Sequence, residues 1–197
     1  MINRLLIFIK NPVAGKVKTR LAADVGPERA LAIYRQLLTH TRRQCEALDA
    51  ERRLYYSDFI DPHDEWPEAL FQKFVQRGDD LGLRMANAFE DAFSEPARVV
   101  IIGSDCPGVD TALLRQAFAA LDDHDFVLGP AHDGGYYLLG MRRFQPEVFS
   151  GIHWSTHEVL PATLAHMAQL GASCAMLPTL TDVDHLADWE QWARQFA

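Results

Sequence analysis

The sequence predicts an α/β protein built on a mainly parallel sheet. Three observations carry that prediction. Strand-length apolar runs, residues 4–10 and 98–103 above all, show no alternation, as strands buried on both faces should not. Other segments repeat their apolar residues at helical spacing. The two kinds of segment alternate along the chain, and such alternation folds into a parallel sheet with helices on both faces.

The elements follow in order. Residues 4–10 form the first strand, and a loop rich in Gly and Lys leaves it. Pro27 suits the first turn of a helix, on which Ala30, Ile33, Tyr34, Leu37, Leu38, Thr41, Cys45 and Leu48 share one face. Residues 54–57 are a second strand, 61–68 an irregular connection and 74–77 a short extended segment. Residues 81–93 read as a helix with Met85, Phe89 and Phe93 in register. Residues 98–103 form the clearest strand, and Asp110 caps a helix carrying Leu113, Leu114, Ala117, Phe118 and Leu121. Strands at 125–129 and 136–141 flank a Gly-Gly turn. Ser155 or Thr156 caps a helix through Leu170 that Gly171 ends. A strand at 172–177 and a helix from Leu186 to Phe196 close the chain.

Bulk properties bound the reading. The 197 residues, 48% hydrophobic and 23% charged, suit one globular domain spanning 1–197. No repeat, linker or low-complexity tract divides them. A net charge of −8 and a pI near 5.4 argue against a nucleic-acid partner but leave room for a small anion held by a local cluster of cations. Cys45, Cys106 and Cys174 are odd in number and widely spaced, which disfavours a disulfide framework or a zinc site. The apolar run 5–9 is too short for a signal-peptide core, and no stretch reaches membrane-spanning length. A cytoplasmic, membrane-free protein is expected. The oligomeric state is open, with a homodimer allowed.

In parallel sheets, ligands bind beyond the carboxyl ends of the strands, which points to three loops. The first runs through residues 10–20, with Lys10, Lys16, Lys18 and Arg20 directly after a buried strand. Backbone N–H groups near Gly15 suit an anion nest, Arg20 suits a two-pronged grip on phosphate, and Lys18 supplies a point charge. The spacing is neither a P-loop nor a G-x-G-x-x-G dinucleotide motif. The second loop places Asp105 after the central strand. A carboxylate there facing a phosphate pocket suits Mg²⁺ or Mn²⁺, both of which prefer oxygen ligands. The third runs from Gly129 through Asp133, Gly134, Gly135 and Tyr136 to Tyr137, and its local chemistry fits a hairpin turn and a ligand site equally. A fourth segment, 181–189, brings Asp182 and Asp184 before the last helix. Asp184 suits either a metal site shared with Asp105 or a helix cap. Trp154, with neighbouring hydroxyls, offers an acceptor surface.

Four stretches together carry a resemblance: Lys10-x-Pro12-x-x-Gly15-x-x-Lys18-Thr19-Arg20-Leu21, Asp80-Leu81-Gly82-x-Arg84-Met85, Gly103-x-Asp105-Cys106-Pro107, and Gly129-Pro130-x-x-Asp133-Gly134-Gly135-Tyr136-Tyr137. Through nearly its whole length the chain resembles a bacterial family of GT-A-type, glycosyltransferase-like proteins, some labelled arsenosugar-biosynthesis glycosyltransferases, within the nucleotide-diphospho-sugar transferase superfamily. The resemblance implies a mostly parallel sheet of about seven strands. It implies that Lys10, Pro12, Gly15, Lys18, Arg20, Asp80 and Arg84 bind the nucleotide, and that Asp105 and Asp184 hold Mg²⁺ or Mn²⁺. Two departures stand out: residues 11–14 replace a Gly-rich loop, and Cys106-Pro107 follows Asp105 where glycosyltransferases of this fold usually show Asp-x-Asp.

The expected function is metal-dependent transfer from an activated nucleotide to a small-molecule acceptor. Glycosyl transfer from a nucleotide-sugar is favoured, with Lys18, Arg20, Asp105 and Asp133 as catalytic residues. Asp133, Gly134, Gly135, Tyr136 and Trp154 bind the acceptor, and Asp133 is the base, with Glu158 or His157 behind it. The alternative is nucleotidyl transfer from a nucleoside triphosphate to a phosphorylated small molecule, and the third reading is a non-catalytic nucleotide-binding regulator.

Overall fold

The computed structural model describes residues 1–193. Its elements are β1 (Ile2–Ile9), α1 (Thr19–Val25), α2 (Pro27–Glu46), β2 (Glu51–Tyr56), β3 (Gln72–Val75), α3 (Leu81–Ala92), β4 (Ala97–Ile102), α4 (Thr111–Asp123), β5 (Phe126–Pro130), β6 (Tyr136–Met141), α5 (Val159–Gln169), β7 (Cys174–Met176) and α6 (Leu186–Trp192), with a 3-10 turn at Pro146–Phe149. The expected end of the last helix at Phe196 lies outside the described residues.

The seven strands form one sheet in the order β3-β2-β1-β4-β6-β5-β7. All neighbours are parallel except the pairs made by β6, which runs against both β4 and β5. That reversal follows from chemistry local to the chain: Asp133-Gly134-Gly135 turns β5 directly back into β6. Asp133 Oδ1 accepts from Gly135 N at 2.9 Å, and Gly134 adopts φ 90°, a left-handed value that favours glycine.

The unalternating apolar runs are explained by two cores. Leu5, Ile7 and Ile9 of β1 face a cluster built with α1, α2, α4 and α6, while Leu6 faces a second cluster built with α3 and α5. Burying each such side chain contributes roughly 1.5–3 kcal/mol, so β1 anchors both layers. Among the described residues, no helix is long and apolar enough to cross a membrane. Cys45, Cys106 and Cys174 are all free, the first two of them buried.

Three expectations need correction. The stretch after β1 is not wholly loop: α1 occupies Thr19–Val25 and ends at Gly26, whose φ of 85° lets the chain turn into α2. Neither Ser155 nor Thr156 caps α5. Ser155 has φ 64° and Thr156 Oγ1 donates to His153 O, so these residues make a turn and the helix begins at Val159. β2 begins at Glu51 rather than residue 54, because its polar first half pairs with β1 while Arg52 donates to the carbonyls of Cys45, Glu46 and Leu48. Hydrophobicity alone cannot show an arginine held in that way.

Chain order places the site. β1 connects onward to β2 on one side, whereas β4 lies on its other side. The loops leaving β1 and β4 therefore diverge and open a crevice at the carboxyl edge. Because β6 runs the other way, its first residue, Tyr136, reaches the same edge.

Candidate functional site

A cavity of about 870 Å³ occupies this crevice. The loop after β1 is shaped by its second residue. Asn11 is buried, donates to Phe59 O at 2.8 Å, and accepts from Asp58 N at 3.0 Å and Phe59 N at 3.3 Å. It clamps the loop to the chain leaving β2. Tyr34 of α2 ties the same loop to the one after β4: its hydroxyl accepts from Lys10 N at 2.9 Å and lies 3.2 Å from Ser104 Oγ. Burial pushes the Tyr34 phenol up to about 12, so it stays a neutral tether. Sequence reasoning placed Tyr34 only on an apolar helix face. Its hydroxyl was the overlooked signal, since a buried phenol needs a partner.

Lys18 sits at the centre. It is the N-cap residue of α1 and adopts a left-handed backbone, φ 48° and ψ 49°, which costs a non-glycine residue roughly 1 kcal/mol. This turn sends its side chain inward, where only 6% stays exposed. Nζ donates to Asp105 Oδ2 at 2.8 Å and to Asp184 Oδ1 at 3.2 Å. Burial alone would lower the Lys18 pKa, but the charges of Asp105 and Asp184 outweigh it and hold the ammonium above its ordinary value. Arg20, mostly exposed, donates to Asp184 Oδ2 at 3.0 Å.

The carboxylates arrive from two distant segments. Val183 N donates to Asp105 O at 2.9 Å, which docks residues 182–184 beside the loop after β4. Asp105 is surrounded by protein, yet 40% of its side chain opens into the cavity. Desolvation would raise its pKa, but Lys18 holds it below the usual value. Asp184 does not cap α6. Asp188 Oδ2 accepts from both Asp184 N and His185 N, which frees the Asp184 carboxylate for Lys18 and Arg20. Burial, then the Asp105 charge, push the Asp182 carboxyl up to about 8, against the side-chain hydrogen bond with Cys106. Its Oδ1 is buried with no hydrogen-bond partner among the described residues.

The structure brings together Lys10, Lys16, Lys18, Arg20, Asp105, Asp184, Asp133, Gly135, Tyr136 and Trp154, all of which line the cavity. Pro12, Gly15, Gly134, Asp80 and Arg84 do not line it. Asp80 spends its carboxylate as the α3 cap, accepting from Leu83 N at 2.8 Å, and Arg84 Nε donates to Gly78 O at 2.9 Å. Gly134 packs under His157, where a Cβ would meet backbone at 2.6 Å. Of the two reserve bases, His157 lines the cavity and Glu158 does not. Gln76, which opens the 76–82 segment that could contact a nucleotide or start a helix, lines the wall, its Nε2 donating to the carbonyls of Ile9 and Tyr55.

The donor chemistry at Asp105, Asp182 and Asp184 fits a hard divalent cation: every group is a carboxylate, and one buried oxygen lacks a partner. As they stand, however, two of the three are claimed by Lys18, and no group of three His, Cys, Asp or Glu side chains among the described residues is arranged to hold a metal.

A family profile described as "Uncharacterized protein conserved in bacteria (DUF2064)" matches residues 40–156. No curated protein matches the sequence. Among solved structures, a protein of Desulfovibrio desulfuricans G20 provisionally described as a nucleotide-diphospho-sugar transferase is 35% identical, with a TM-score of 0.91 over 99% of this chain and 88% of its own. The 2-C-methyl-D-erythritol 4-phosphate cytidylyltransferase of Thermus thermophilus shares the fold at 18% identity and TM-score 0.58, over 100% of this chain and 99% of its own. The inositol-1-phosphate CTP transferase of T. maritima does so at 12% and 0.59, over 99% and 94%. None of these three descriptions mentions an arsenosugar.

Proposed function

The chain belongs to the DUF2064 family, and we propose that it is a transferase that moves a sugar from a nucleotide-sugar to a hydroxyl on a small, uncharged acceptor. One observation carries the choice of glycosyl transfer. Among the described residues, every Lys and Arg lining the cavity, Lys10, Lys16, Lys18 and Arg20, comes from the loop after β1 and the start of α1. The rest of the wall offers Asp133, Tyr136, Trp154, Ser155, Thr156 and His157, with no Lys or Arg among the described residues. A nucleotidyl acceptor carries a phosphate that itself needs a cation. A sugar or hydroxyl acceptor needs hydrogen-bond partners and a flat apolar face, which Trp154 provides. Its indole lies so close over Gly82 that a Cβ there would meet Nε1 at 2.3 Å.

In this reading Lys18 and Arg20 take the diphosphate, Lys18 as a point charge and Arg20 as a fork. The bond from the acceptor oxygen to the anomeric carbon forms as the bond from that carbon to the diphosphate breaks. The acceptor proton passes to Asp133, with His157 the other candidate on the wall. The diphosphate leaves with its charge stabilised by fixed cations. Asp105 and Asp184 would hold Mg²⁺ or Mn²⁺, which when bound adds charge stabilisation at the diphosphate.

The second reading, nucleotidyl transfer, is favoured by the cytidylyltransferase folds and by the single Asp105 followed by Cys106-Pro107. Product analysis separates the two. The protein is incubated with Mg²⁺ and either nucleotide-sugars plus hydroxyl acceptors or nucleoside triphosphates plus sugar phosphates. Release of nucleoside diphosphate and a glycosylated acceptor is expected. Release of pyrophosphate, in the second mixture only, would overturn the glycosyl reading.

A further inference from the structure

We infer that Lys18 is a resident counter-ion that keeps divalent metal out of the site until nucleotide phosphates draw it away. The inference rests on the reading above in taking Asp105 and Asp184 as the metal ligands and the loop after β1 as the side that meets the phosphates.

The geometry is exclusive. Nζ stands 2.8 Å from Asp105 Oδ2 and 3.2 Å from Asp184 Oδ1, so the space between the two carboxylates already holds a positive charge. A magnesium ion bonded to both needs oxygens at roughly 2.0–2.1 Å and would sit almost on top of the ammonium. Two cations that close repel strongly. Arg20 adds a second positive charge at Asp184 Oδ2. The four charges of Lys18, Arg20, Asp105 and Asp184 sum to zero, leaving the pair of carboxylates no excess attraction for a metal.

The same geometry shows what reverses the lock. Lys18 is held inward at a strained left-handed backbone position, and its pairing with two carboxylates holds it there. A diphosphate entering beside the loop after β1 offers the ammonium a more highly charged partner, with Arg20, Lys16 and Lys10 already lining that side of the cavity. Once Lys18 and Arg20 both turn to phosphate, Asp105 and Asp184 lose the cations that pair them, beside the buried Oδ1 of Asp182. They then require a cation. Metal and nucleotide therefore strengthen each other's binding, and thermodynamic linkage makes the coupling reciprocal.

The test reads metal binding directly, without any transfer reaction. Mn²⁺ alone is titrated, by electron paramagnetic resonance of the free ion, into nucleotide-free wild type, Lys18→Met, Lys18→Gln, and Lys18→Met combined with Asp105→Asn. Circular dichroism confirms that each is folded, and the two Lys18 substitutions guard against the failure of one. Wild type should bind Mn²⁺ at least tenfold more weakly than either single variant, and the double variant should lose the gain. Equal Mn²⁺ affinity in wild type and the Lys18 variants would overturn the inference. So would Lys18 variants that fold and bind no Mn²⁺, since Lys18 would then not be what excludes the metal. A product assay that favours nucleotidyl transfer would leave this result untouched, and failure here would leave the transfer reaction untouched.

Discussion

At the scale of single residues, the site is a set of charges that would be unstable apart. Lys18 offsets Asp105 and Asp184, while Asp182 is left to carry its own proton. That proton has a measurable consequence. With its carboxyl raised from an ordinary 3.8 to about 8, Asp182 in the folded protein keeps a proton that the unfolded chain has released. The folded state binds more protons between those values, so stability from this group falls as pH rises from about 4 to about 8. The upper limit is about 1.4 kcal/mol per pH unit. Above that window the contribution is constant. Asp182→Asn has no proton to lose. Urea unfolding of this variant, measured without divalent ions, should show a flatter fall in stability from pH 5 to 8 than wild type. Identical slopes would mean that Asp182 is ionised in the fold. The sequence showed Asp182 only as one of two acids before a helix. Its state depends on Asp105, 77 positions away in the chain and a neighbour only in the fold.

At the scale of elements, the boundaries that matter are those that aim side chains. α3 and α4 start where Asp80 and Asp110 accept from Leu83 N and Leu113 N. Asp110 was legible as a cap from its type and position. Asp80 matched a motif implying a nucleotide contact, while its carboxylate is committed to α3. Alanine at either position should cost about 1 kcal/mol in denaturant unfolding. Asp80→Ala should weaken nucleotide binding no more than that destabilisation explains, and a larger loss in a nucleotide titration would return Asp80 to the ligand. α1 escaped sequence reading because seven residues carry too little periodicity, and because its N-cap residue, Lys18, is a poor capping type that serves the site instead. The hairpin at Asp133 was legible in chemistry but undecided in role. The structure makes it both the turn into β6 and part of the cavity wall.

At the scale of the whole molecule, one sheet carries two cores, and β1 belongs to both. Ile7 and Leu6 are fully buried on opposite faces. If the chain folds as one unit, Ile7→Ala and Leu6→Ala should each cost about 2–5 kcal/mol. Each should also shift a single unfolding transition seen alike by circular dichroism and tryptophan fluorescence. Separate transitions for the two probes would divide the layers into independent units. The α/β class, the strand sequence and the loops bearing Lys18, Asp105 and Asp133 were all determined by the sequence itself, because burial on two faces and placement at strand ends leave a local pattern. Only the tertiary structure decided that residues 182–184 return to Asp105, that Asp184 leaves the start of α6 to Asp188 and meets Lys18, and that the lysine fills the space between two expected metal ligands. Those facts depend on charges brought together from positions 18, 105 and 184, and a charge's partner across the fold leaves no trace in its neighbours along the chain.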